Sequence, residues 1–217
     1  MDISTDQIRN ALLYLIAFVV SITVHEFGHA FTADKLGDRL PRSQGRVTLS
    51  PLAHADPIGT ILLPLVGAFY SGVPLLAWGK PVQVNPYAYK RGGNLLVSLM
   101  GPAMNLLLAV IASLLIVGLG MVGIVHEELA LILIQFVVAL NLRLLFFNLI
   151  PLPPLDGSAL LEYILPDDLK IVSQTLHRYG MLFLYLLLLS GVFRILMRPV
   201  DALTLVWARE LLRHVPA

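Results

Sequence analysis

His25-Glu26-Phe27-Gly28-His29 combines residue types and a spacing that can do chemistry. On a helix, residues four apart share a face, with about 5–6 Å between their Cβ atoms. Two imidazoles at that spacing can hold one Zn²⁺ without distorting the backbone. Glu26 is rotated about 100° from His25 at 3.6 residues per turn, so it can reach a metal-activated water from the side as general base. Gly28 has no side chain and lets another backbone approach. Catalytic zinc takes three protein ligands and an open position. The remaining candidates are His54, Asp56, His126, Glu127, Glu128, Asp156, Glu162 and His177. The chain has no cysteine, which excludes thiolate ligands, disulfides and a cysteine nucleophile.

Two histidines and a glutamate would also suit an interfacial polar cluster or an interhelical hydrogen-bond network. Their surroundings favour the metal. Residues 11–24 are almost purely apolar, and an ionisable group at mid-membrane costs about 2.5–3.5 kcal/mol on insertion scales. Residues kept at that cost read by default as functional.

The composition fits this setting. Of 217 residues, 57% are hydrophobic and 13% charged, with a mean hydropathy of +0.81. A soluble domain carries about 25% charged residues, so lipid is the expected solvent. The length suits one domain, 1–217. A net charge of +1 with no basic run leaves no nucleic-acid footprint. The leader is acidic and the first apolar run has no small-residue cleavage site, so it reads as a retained span.

Spanning helices need about 20 apolar residues. Segments of about 8–33, 94–125, 129–150 and 179–197 meet that standard. Segment 57–78 is apolar but interrupted by Pro64, Gly67, Gly72 and Pro74, the mark of a broken or re-entrant element. Segment 200–213 is amphipathic and suits the membrane interface. Arg46-Val47-Thr48-Leu49-Ser50 alternates as a short surface strand or hairpin would. The expected fold is an all-α polytopic membrane protein with four to six transmembrane helices, an interfacial strand or hairpin, and a re-entrant segment.

Asp156 stands out among the remaining acids. It follows the Pro-rich break Pro151–Pro154, where irregular backbone at membrane depth is tolerated if it lines a cavity. It also suits an ordinary helix cap for the residues that follow. The residues alone leave both roles open.

His25-Glu26-Phe27-Gly28-His29, then Gly101-Pro102-Ala103-Met104-Asn105, then Asn148-Leu149-Ile150-Pro151 through Leu155-Asp156-Gly157 occur in this order. Together they resemble the site-2 protease family of intramembrane zinc metalloproteases, over roughly residues 15–165. The resemblance implies a compact form without the PDZ or cystathionine-synthase-like domains of many relatives. It implies one Zn²⁺ per chain held by His25, His29 and Asp156, with Glu26 as base. It also implies that Asn148 sits near the metal, where its amide could stabilise an oxyanion, and that Asn105 lines the site or packs the core spans. The implied activity is hydrolysis of peptide bonds in single-span membrane proteins. Two other classes are a zinc-type metal transporter, which needs a continuous polar path and ligands spread over several spans, and a catalytically idle scaffold, against which intact His25, Glu26, His29 and Asp156 argue.

Ligands at one depth favour parallel first and third spans, so an odd number of crossings separates them. Residues 94–125 supply one, which makes 57–78 re-entrant. Lys35, Arg39, Arg42, Arg46, Lys80, Lys90 and Arg91 then share one face, which the positive-inside rule makes cytoplasmic. The expected location is a prokaryotic cell membrane. His54 suits either a gate or substrate-binding element or a plain interfacial turn capped by Asp56. Arg143, within the third span, is expected to pair or snorkel, and Ala109, Ala112 and Ser113 to allow close helix packing.

Overall fold

The structure, a computed structural model, describes residues 4–69, 76–90 and 92–216. Ser4 opens the first helix, α1 (Thr5–Lys35), with a reciprocal capping box: its hydroxyl accepts from Gln7 N, and the Gln7 side chain accepts from Ser4 N. After two single-turn helices, α2 (Pro57–Phe69) begins with a π-helical turn capped by Asp56, whose carboxylate accepts from Ile58 N and Gly59 N. Then come α3 (Gly93–Met121), α4 (Glu127–Asn148), α5 (Ser158–Ile164), α6 (Lys170–Leu189) and α7 (Val192–Leu212). The helices α1, α3 and α4 are long and apolar enough to cross a membrane, and the α6–α7 pair, bent by 72°, makes a fourth if counted as one span. The count therefore sits at or below the lower end of the expected four to six.

Register fixes the direction of the three central helices. His29, His25 and Ser21 descend along α1 beside Val97, Gly101 and Asn105 ascending along α3, so these two run antiparallel. Asn141 of α4 meets Ser21, and Asp156 beyond its end meets His25, so α1 and α4 run parallel. Close approach of α1 and α3 depends on Gly28, where an added Cβ would lie 2.7 Å from Met104 Cγ and 2.9 Å from the Met100 carbonyl oxygen. Ala109 is buried in a cluster that packs α3 against α4 and α7, with Ala112 against it, and Ser113 is buried as well. The outward residues of α3, among them Leu107, Ile111, Leu114 and Leu115, are exposed, as lipid-facing side chains are.

The chain returns to its own start after α2. Trp78 N donates to Gly59 O at 3.1 Å, Thr60 Oγ1 donates to Trp78 O at 2.8 Å, and Lys80 N donates to His54 O at 2.8 Å. Both ends of segment 57–78 therefore lie side by side, as a re-entrant element requires; its residues 70–75 lie outside the described residues.

Two expectations are corrected. Residues 46–50 form no strand, and no strand occurs among the described residues. Local bonds occupy Thr48 instead: its N–H donates to Arg46 O, its hydroxyl accepts from Ser50 N, and its carbonyl meets His54 Nε2. The fourth span is also not continuous over 179–197. Gly191, at φ +76°, ends α6 and turns the chain into α7, a conformation that favours glycine. The amphipathic helix thus begins at Val192 rather than near 200.

Candidate metal centre

α1 carries His25, Glu26 and His29 on a buried stretch of its C-terminal half. Asp156 arrives from a loop that three prolines keep out of helix. The loop closes on itself where Gly157 N donates to Asn148 O at 2.6 Å, with Leu155 N donating to Leu152 O at 2.9 Å inside it. The helix-cap alternative for Asp156 is not realised: the N-cap position of α5 is Gly157, and no side chain caps that helix.

His25 Nε2 and His29 Nε2 lie 3.1 Å apart. Asp156 Oδ2 is 3.2 Å from His25 Nε2, and its Oδ1 is 3.4 Å from His29 Nε2. Tetrahedral zinc with bonds of about 2.0–2.1 Å separates its ligand atoms by roughly 3.3 Å, so the imidazole pair and the contact of each ring with one carboxylate oxygen have the spacing such a site needs. The proton positions agree. His29 Nδ1 faces the Val97 carbonyl at 2.8 Å, which can only accept, so Nδ1 carries the proton and Nε2 turns its lone pair inward. His25 Nδ1 meets Asn105 Oδ1 at 2.7 Å in the same manner. Asp156 Oδ2 is buried and makes no hydrogen bond. Two imidazole nitrogens and a carboxylate converging in this way are a donor set that fits Zn²⁺. Gly101 keeps α3 clear of both rings: a Cβ there would stand 2.7 Å from His25 Cε1 and press on the His29 ring.

A cavity of about 490 Å³ opens beside this triad, lined by His25, Glu26, His29, Asn148, Asp156 and the segment Trp78–Val84. Segment 76–85 is neither helix nor strand and lines the cavity as a strap. Val82 N donates to Glu26 Oε2 at 3.0 Å. Buried Arg46 ties the strap down, its guanidinium donating to the carbonyls of Ala53 and Lys80. Burial holds the Arg46 pKa below its ordinary value, with nearby Glu26 opposing that shift. Asp38 anchors the strap's far end, accepting from Asn85 N at 2.6 Å and Tyr89 OH at 3.0 Å.

The sequence candidates separate in space. His25, His29 and Asp156 meet, Glu26 and Asn148 share their cavity, and Asn105 backs His25. Asn148 Nδ2 donates to Leu144 O at 2.9 Å, which leaves one of its two amide protons for the cavity. His54 does not line the cavity: it is fully buried, its Nε2 meets Thr48 O at 2.8 Å, and its Nδ1 has no partner. Glu127 and Glu128 occupy the first turn of α4, beside His126, and Glu162 pairs with His177 at 3.1 Å. Arg143 pairs with Asp201 of α7 at 2.9 Å. Asn141 and Ser21, buried partners of Asn105, carried no sequence motif; an amide within an apolar span was their one signal.

A model of Peptidase family M50 matches residues 13–125 and 119–191. YwhC of Bacillus subtilis, named as a zinc metalloprotease, is 40% identical over 174 residues, covering 76% of this chain and 75% of its own. Rip2 of Mycobacterium tuberculosis, named likewise, is 31% identical over 182 residues, covering 82% of this chain and 67% of its own. Rip2 of Mycolicibacterium smegmatis is 30% identical with the same coverage. No solved structure matches the chain. With residues 13–191 matched by the family and most of the chain by its relatives, the chain belongs to peptidase family M50, the site-2 protease group of membrane-embedded zinc metalloproteases.

Proposed function

We propose that His25, His29 and Asp156 hold the zinc and that Glu26 is the general base for hydrolysing a peptide bond of a single-span membrane protein. One observation carries this reading: the two imidazole Nε2 atoms and the Asp156 carboxylate converge, with separations of 3.1–3.4 Å. Bound zinc supplies Lewis acidity, which lowers the pKa of water to about 7 and polarises a carbonyl.

The chain's own groups do the rest. Glu26, oriented through Oε2 by Val82 N–H, takes the proton of the attacking water and returns it to the leaving amine. The free amide proton of Asn148 donates to the oxygen on which negative charge develops. A helical substrate hides its peptide bonds, so the cleaved stretch must unwind; the strap Gly79–Val84, which is neither helix nor strand, lines the cavity beside which it can lie. The basic loops between α1 and α3 face the cytoplasm of a prokaryotic cell, in keeping with the bacterial relatives and the positive-inside rule.

Glu26→Gln tests the assignment. The variant should keep stoichiometric zinc and lose cleavage of a single-span model substrate. Substantial residual cleavage removes Glu26 as the base.

A further inference from the structure

Asn105 on α3 and Asn141 on α4 are fully buried, and Ser21 on α1 is 1% exposed. Their hydrogen bonds run in one direction. The Val137 carbonyl can only accept, so the Asn141 atom 2.9 Å from it is the amide nitrogen. That nitrogen also donates to Ser21 Oγ at 2.9 Å, whose own proton goes to Ala17 O at 2.7 Å. Asn141 therefore turns its oxygen to Asn105, which donates to it at 2.8 Å and more weakly to Ser21 O at 3.5 Å. Asn105 is left facing His25 with its own oxygen, at 2.7 Å. An acceptor there demands a proton on His25 Nδ1 and so leaves Nε2 bare.

We infer that Asn141 is a positioning residue: acting through Asn105, it selects the His25 tautomer able to bind metal. A flipped Asn105 would set two amide oxygens against each other at Asn141 and aim an N–H at His25, driving the imidazole proton onto Nε2. Between side chains buried this completely, neither mismatch has another side-chain partner to relieve it. The turn before Asn141 is π-helical, Ile134–Val138, a wider turn that recurs at functional sites and changes the face presented by the residues after it. Asn141 is the first polar residue beyond it.

The inference rests on His25 being a zinc ligand, and the experiment separates the two claims. In the full chain, metal-free and labelled with ¹⁵N-histidine, His25 should show a protonated Nδ1 and a bare Nε2. Asn141→Leu should give mixed tautomers and weaken zinc binding about 10–100-fold, the usual effect of losing an outer-sphere partner. Asn141→Asp, in its neutral form, restores the acceptor facing Asn105 and one of the two donated bonds, and should recover most of that loss. A proton on Nε2 of wild-type His25 overturns the inference without any variant, so it stays exposed even if Asn141→Leu fails to fold. Unchanged zinc affinity in Asn141→Leu overturns it too, as does an Asp variant as weak as the Leu one. Full zinc binding by His25→Ala would instead sink the ligand assignment beneath it.

Discussion

The backbone N–H of Val82 donates to Oε2 of Glu26 at 3.0 Å, joining a strap over the cavity to a helix that precedes it by 56 residues. The bond fixes one carboxylate oxygen and leaves the other for the reaction. Val82→Pro removes that donor, while Val82→Ala keeps it. A hydrogen bond to a charged group contributes about 1.5–3 kcal/mol, so the proline variant should lose about tenfold or more in kcat. Its zinc content should stay unchanged, and the alanine variant should remain near wild type. Equal rates for both substitutions would show that the Glu26 contact has no part in the proposed proton transfer.

Gly101 leaves room for both imidazoles. The methyl group of Gly101→Ala would meet His25 Cε1 and the His29 ring, and moving the rings away would break their hydrogen bonds to Asn105 and Val97 on the same helix as Gly101. Overpacking of this kind costs about 1–3 kcal/mol, expected here as roughly tenfold weaker zinc binding or more with helix content retained. Isothermal titration with zinc, beside circular dichroism, measures both.

The parts of this site that were legible in the sequence are those whose geometry is local. A helix alone places His25 and His29 together, and the Pro-rich break alone takes Asp156 out of helix. The parallel course of α1 and α4 followed from the same ligands, because a shared depth constrains the number of crossings. What depends on packing was not legible. Asn141 and Ser21 look like minor polar interruptions of apolar spans until three helices set them beside Asn105. The alternation in 46–50 suggested a strand, but burial of Arg46 and the local bonds of Thr48 hold that stretch as a turn. The break between α6 and α7 was hidden because hydropathy runs on through it; its cause is the backbone conformation of one residue, Gly191.

His54 sits fully buried behind the strap. Burial holds its pKa below the ordinary 6.5, with the Thr48 carbonyl and Glu26 opposing that shift and Arg46 adding to it. The folded chain therefore binds a proton at this site less readily than the unfolded chain does. The stability this contributes is present above pH 6.5 and lost as the pH falls through the folded-state value. Replacing His54 with Gln, which cannot titrate, should flatten the fall in thermal stability on acidification below that pH. A variant as acid-sensitive as the wild type would place the responsible proton elsewhere.

The return of Trp78 to Gly59 and of Lys80 to His54 brings the loop before α2 and the strap after it together, so the proposed re-entrant course puts both on one side of the membrane, with the end of α3 on the other. The chain has no cysteine, so single introduced thiols can be read without background. Leu52 and Tyr87 flank the re-entrant segment and are 91% and 95% exposed; Ile124, beyond the far end of α3, is 62% exposed. In intact cells, Leu52→Cys and Tyr87→Cys should resist a membrane-impermeant maleimide until the membrane is opened, whereas Ile124→Cys should react at once. Labels at 52 and 87 that react from opposite faces would make α2 part of a full crossing. The inverse pattern, with 52 and 87 reacting outside, would keep the re-entrant course and reverse the orientation drawn from the basic loops.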